Sequence, residues 1–99
     1  MDKINLRLAK GFQWDEGNHY KYWLKHNVTH SECEQVFFNE PLLVMEAATG
    51  HEPRFLVLGR TDEMRELFIV FTVRNDHIRI ISARNMSRKE KNFYEKNYT

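Results

Sequence analysis

The stretch from Arg54 to Arg84, RFLVLGRTDEMRELFIVFTVRNDHIRIISAR, decides the fold. β-Branched, aromatic and leucine residues fill three runs, Arg54 to Arg60, Leu67 to Arg74 and His77 to Arg84, with turn chemistry between them. That pattern predicts three consecutive antiparallel strands. Asn75-Asp76 suits a two-residue hairpin turn, in which both central residues take φ > 0 and Asn or Asp tolerates it better than most. With Arg74 opposite His77, the pairs run Val73 to Ile78, Phe71 to Ile80, Ile69 to Ser82 and Leu67 to Arg84, each pair sharing a face. An even-length loop from Thr61 to Glu66 places Arg60 opposite Leu67. Arg60 and Arg84 then share a face and a level, two strand spacings or about 10 Å apart. Two guanidinium arms at that separation can converge on one phosphate or carboxylate. An odd loop would carry Arg60 to the other face.

Upstream of this core, residues 4 to 8, INLRL, alternate as a short edge strand or form a loose leader. Asp15 is placed as a helix N-cap, and the helix is expected from about Glu16 to His26. Tyr20, Trp23, Leu24 and Val28 recur as a buried stripe, and Asn27 sits where a left-handed C′ residue is wanted. Thr29-His30-Ser31-Glu32 has the spacing of a capping box, which announces a second helix with Cys33, Val36 and Phe37 on its apolar side. It ends before Asn39-Glu40-Pro41, because proline cannot continue it. Leu42 to Met45 reads as a strand that prefers an edge, given the proline at its entrance, and Ala47 to Pro53 as a loop.

Downstream, Ser87-Arg88-Lys89-Glu90 repeats the capping-box spacing and opens a last helix. Phe93, Tyr94 and Tyr98 give it a partial apolar face, and Arg88, Lys89, Lys91 and Lys96 make it locally basic. The whole predicts a single α+β domain over residues 1–99, with N-terminal helices and a C-terminal helix packed on an antiparallel sheet. The middle strand is apolar on both faces, with Phe68 and Val70 on one and Leu67, Ile69 and Phe71 on the other. Helices of the domain can cover one face, and the other is open to a partner subunit.

A formal net charge of +1 argues against non-specific nucleic-acid binding by the whole surface, so any anion site must be local. One cysteine, Cys33, excludes an internal disulfide and a cysteine-based zinc site, and its apolar helix face points to a packed thiol rather than a nucleophile. The start MDKINLRLAK is too polar for a secretory signal, and no apolar run approaches the length of a membrane span. A cytoplasmic location is expected.

The candidates for chemistry are Lys25, His26, Glu52, Arg60, Arg79 and Arg84. Lys25 and His26 are adjacent at a helix end. The histidine there is either a cation favoured by the negative pole of the helix or a proton-transfer group working near neutral pH, with Lys25 holding an anion. Arg79 has opposite parity from Arg84 and faces a helix, a partner or solvent. Among the five histidines, only His26 and His30 stand four apart, and the helix end at Asn27 interrupts them. No metal or other cofactor is therefore expected. A glycine-rich phosphate loop and a G-x-S-x-G elbow are absent, which disfavours nucleotide hydrolysis and serine-hydrolase chemistry.

Phe12-Gln13-Trp14-Asp15, then Asn18, Lys25-His26 and Val28, resemble the opening of the BrnT family, toxins of type II toxin–antitoxin systems. Arg54 to Thr61, Ile78 to Arg84 and Met86 to Glu90 look like that family's later motifs, so the resemblance covers roughly residues 12 to 95. It implies a RelE-like fold and an endoribonuclease that inhibits translation. It also implies a BrnA-type antitoxin with a ribbon-helix-helix DNA-binding part, so that DNA is reached only through the partner. Lys25 and His26 match the family's KH motif, Arg60 its GR motif and Arg84 its SAR motif. The family often has glycine where this chain has Asn27, and residues 46–53 match poorly, which leaves Glu52 without a family role. Metal-independent RNA cleavage through the 2′-OH fits these residues, with His26 as base or acid and the arginines on the phosphate. The competing reading is a non-catalytic module that binds a partner protein through its sheet face.

Overall fold

The computed structural model describes residues 9–15, 27–47 and 52–97. In chain order these form β1 (Gly11–Phe12), α1 (His30–Phe38), β2 (Leu43–Ala47), β3 (Arg54–Arg60), β4 (Glu66–Arg74), β5 (His77–Asn85) and α2 (Arg88–Asn97). The five strands make one sheet in the order β1-β5-β4-β3-β2, which puts β2 on an edge, as its entering proline requires. The Asn75-Asp76 turn joins β4 to β5 with φ of 53° and 63°, the left-handed pair expected of it.

The sheet is mixed, not purely antiparallel, because β1 runs parallel to β5. Two residues are too short a run to show strand periodicity. β1 is held instead by Lys10 N–H on the Asp76 carbonyl (2.6 Å), by Gln13 N–H on the Ile78 carbonyl (2.8 Å) and by the Phe12 ring against Phe37 at 5.4 Å. Gly11 takes φ 148° there, a backbone that other residues rarely adopt. The strand expected over residues 4 to 8 and the helix expected from Glu16 to His26, with most of its apolar stripe, lie outside the described residues. Of that segment's end, Asn27 is left-handed with φ 57°, as expected, and Val28 is fully buried.

The register departs from the sequence expectation at one place. Val73 pairs with Ile78 and Phe71 with Ile80, but a bulge then leaves Ile81 as an extra residue on β5. Val70 therefore pairs with Ser82, Ile69 with Ala83, Phe68 with Arg84 and Leu67 with Asn85. Strict alternation would have carried Ser82 and Arg84 onto the core face. The extra residue turns both out and brings Ala83 in, where it is fully buried. The connection from β3 to β4 also differs. It spans Thr61 to Arg65, an odd number of residues, and Arg60 pairs with Glu66 rather than Leu67. Thr61 and Arg65 close this turn on each other, through Thr61 N–H on the Arg65 carbonyl (2.9 Å) and Arg65 N–H on Thr61 Oγ1 (3.1 Å).

Each sheet face carries its own helix. Val57, Leu67, Ile69, Phe71, Ile80 and Ala83 form the main core with Cys33 and Val36 of α1, and the buried Cys33 thiol is packing, as expected. α1 begins at a complete capping box, in which Glu32 N–H donates to Thr29 Oγ1 and Thr29 N–H to Glu32 Oε1, each at 3.0 Å. On the opposite face α2 seats Tyr94 against Leu58 and Met86, with Leu43, Met45 and Phe68 around them. The Tyr94 hydroxyl donates to the Pro41 carbonyl at 2.6 Å, so it is buried with a partner. Phe93, beside Tyr94 on α2, is exposed, and Tyr98 lies outside the described residues. No helix among the described residues is long and apolar enough to cross a membrane.

Candidate active site

β3 and β5 run in the same direction, so Arg60 and Arg84 reach the same end of the sheet. The odd loop moves Arg60 to the face opposite the expected one, and the bulge does the same to Arg84. They meet on a common face, that of Phe68, Leu58 and α2. They are not level. Arg60 pairs with Glu66, one step beyond the row of Leu58, Phe68 and Arg84, which puts the two backbones about 12 Å apart on the diagonal.

Each arginine rests on an aromatic ring. The Arg84 guanidinium carbon lies 4.1 Å from the Phe68 ring centroid, and that of Arg60 lies 5.7 Å from the Tyr94 centroid. Arg84 is also forked onto Glu90, with Nη1 donating to Oε1 at 2.8 Å and Nη2 to Oε2 at 2.9 Å. The hydrogen bond from Arg84 draws the Glu90 carboxyl below the usual carboxylate range, against a smaller opposing effect of partial burial, and the Ser87 backbone N–H assists at 2.7 Å. In return Glu90 raises the arginine above its ordinary value. A depression of about 260 Å³ adjoins Arg60, lined by Asn39, Glu40, Thr61, Asp62 and Met64. Its rim is fixed by Asn39, whose amide donates to the Arg60 carbonyl at 3.0 Å and to Asp62 Oδ1 at 2.9 Å.

Lys25 and His26 lie outside the described residues. The residue after them is tied to this end of the sheet by Arg65, a side chain that sequence reading did not single out. Arg65 Nη1 donates to the Asn27 carbonyl at 2.9 Å and to both Glu32 oxygens at 3.1 and 3.0 Å. Its Nε donates to Asn85 Oδ1 at 2.8 Å. Burial alone would raise the Glu32 pKa, but the Thr29 backbone N–H and the Arg65 guanidinium outweigh it and hold the carboxyl below its usual range. One guanidinium thus joins the β3–β4 turn, the residue beside Arg84, the start of α1 and the chain that follows Lys25-His26.

The other candidates lie elsewhere. Glu52 precedes β3 and pairs with Arg74 at 2.9 Å, and Arg79, near the start of β5, forks onto Asp15 with one arm at 3.0 Å. Both stand at the hairpin end of the sheet, away from Arg60 and Arg84, and bind neighbouring charges of the fold.

The chain is an α+β domain with two cofacial arginines, Arg60 and Arg84, at one end of its sheet. The family model described as the ribonuclease toxin BrnT of type II toxin–antitoxin systems matches residues 14–90, and the chain belongs to that family. The family is one of ribonuclease toxins whose partner is a protein antitoxin. No curated protein matches the chain individually.

Proposed function

We propose that this chain is the toxin of a cytoplasmic toxin–antitoxin pair, a metal-independent endoribonuclease that cuts RNA, stops translation and is neutralised by a BrnA-type antitoxin. What supports the reading is the cofacial placement of Arg60 and Arg84 at one end of the sheet, joined to family membership. The RNA 2′-oxygen attacks the adjacent phosphorus as the bond to the 5′-oxygen breaks, leaving a 2′,3′-cyclic phosphate and a 5′-hydroxyl. His26 takes the 2′-OH proton or delivers one to the leaving oxygen, and Lys25 fills the other role or holds the phosphate. Arg60 and Arg84 stabilise the extra negative charge of the phosphorane, which preorganised guanidinium groups do without rearranging. DNA contact falls to the antitoxin.

Controlled expression of the wild type and of an Arg60→Ala/Arg84→Ala double variant in a bacterial host tests this directly. Growth arrest with loss of RNA integrity in the wild type alone is the expected result, and the double variant should still bind its antitoxin. Normal growth with both would sink the ribonuclease reading. Loss of the antitoxin complex in the variant would favour the docking module, whose surface would be the same face, where Leu56 and Val70 remain half-buried beyond α2.

A further inference from the structure

We infer that α2 is part of the reaction site, and that Glu90 is the positioning residue for Arg84. The inference rests on the ribonuclease reading above and adds a residue to it. Glu90 and Tyr94 stand four apart on α2 and so share a helix face. Each supports one arginine, since Glu90 takes the Arg84 fork and Tyr94 lies under the Arg60 guanidinium. The helix is pinned at both positions. Glu90 Oε1 accepts the Ser87 N–H that opens the helix, while Glu90 N–H donates to Ser87 Oγ at 3.2 Å, and the Tyr94 hydroxyl holds Pro41. The carboxylate that caps the helix is therefore the one that aims the arginine.

The geometry leaves Arg84 able to act. Glu90 occupies the edge formed by Nη1 and Nη2, while Phe68 supports one flat face of the guanidinium. The edge formed by Nε and Nη2 still carries two N–H groups that match a phosphate. With one edge and one face fixed, the free edge has a set direction, and the ordering entropy of a long side chain is met on folding rather than in the transition state. Glu90 acts through Arg84 and does not itself touch RNA.

The test is a double-mutant cycle on the purified full chain, cleaving a fluorescent single-stranded RNA of mixed sequence. Glu90→Gln keeps an acceptor for the Ser87 N–H but gives up the charged fork. It should lower kcat about tenfold with KM within about twofold and an unchanged circular dichroism spectrum. In an Arg84→Lys background, which has no fork to aim, the same substitution should change kcat by less than about twofold. An equal loss in both backgrounds, no loss in either, or faster cleavage by Glu90→Gln would overturn the inference while leaving the ribonuclease reading intact. Absence of cleavage by the wild type would instead remove that reading, and this inference with it.

Discussion

Gly59 and Val36 approach so closely that a Cβ on the glycine would lie 2.7 Å from Val36 Cγ1 and 3.1 Å from Leu42 Cδ1. The contact sets how near α1 sits to β3 beside Arg60. Gly59→Ala should destabilise the fold by about 1–3 kcal/mol, the usual cost of overpacking, seen as a lower urea midpoint. Because Val36 supplies the nearest atom, the Gly59→Ala/Val36→Ala pair should cost less than the sum of the single variants. Additive losses would show that the strain lies elsewhere.

Glu32 and Glu90 both have depressed folded-state pKa values, so the sign of their linkage is the same. Their contribution is fully present above the ordinary carboxylate range and is lost as pH falls through the folded values. Stability should therefore decline below about pH 5. Glu32→Gln should lower the urea midpoint at pH 7 and narrow the difference between pH 7 and pH 3. An unchanged pH dependence in that variant would assign the acid sensitivity to other groups.

Arg65 reaches three separate segments through one guanidinium. Arg65→Ala removes charged hydrogen bonds to Glu32 and leaves the Asn27 carbonyl without this donor. It should cost about 1–3 kcal/mol by chemical denaturation. Arg65→Lys should recover only part, because an ammonium cannot reproduce a fork that bonds in several directions at once. Full recovery with lysine would reduce the role of Arg65 to charge alone.

Cys33, on the side of α1 packed against the sheet, is fully buried. In native conditions its thiol should react with an aromatic disulfide reagent at least about a hundredfold more slowly than in denaturant, since a thiol inside the core is reached only through opening of the fold. Rapid native labelling would mean that α1 lifts from the sheet far more readily than its packing implies.

Much of this architecture is legible in the sequence because local chemistry sets it. The two capping boxes at Thr29 and Ser87, the stop before Pro41 and the Asn75-Asp76 turn are each decided by residues within four positions of one another, and all appear in the structure. The alternation of Leu67, Ile69 and Phe71 likewise identified the core face. What could not be read depends on distant partners. β1 exists only because β5 lies beside it, and the bulge at Ile81 answers to burial of Ala83 against α1. For Arg60 and Arg84, parity read from the sequence predicts a shared face at one level, whereas the structure puts them on the opposite face and out of level. Two parity errors, one in the loop and one in the strand, cancelled and left the pair cofacial on the opposite side. Glu90 was legible as a cap from the S-x-x-E spacing, but its fork with Arg84 follows from that parity and could not be anticipated without it.

The unpaired residue at Ile81 also limits how genes of this kind can lengthen or shorten. Removing one codon between the Asn75-Asp76 turn and Arg84 would rotate the arginine into the apolar interior, and adding one would do the same, whereas a change of two would leave its side unaltered. The segment from Thr61 to Arg65 obeys the same rule for Arg60. Insertions and deletions in these two stretches should therefore survive in even steps, or in compensating pairs.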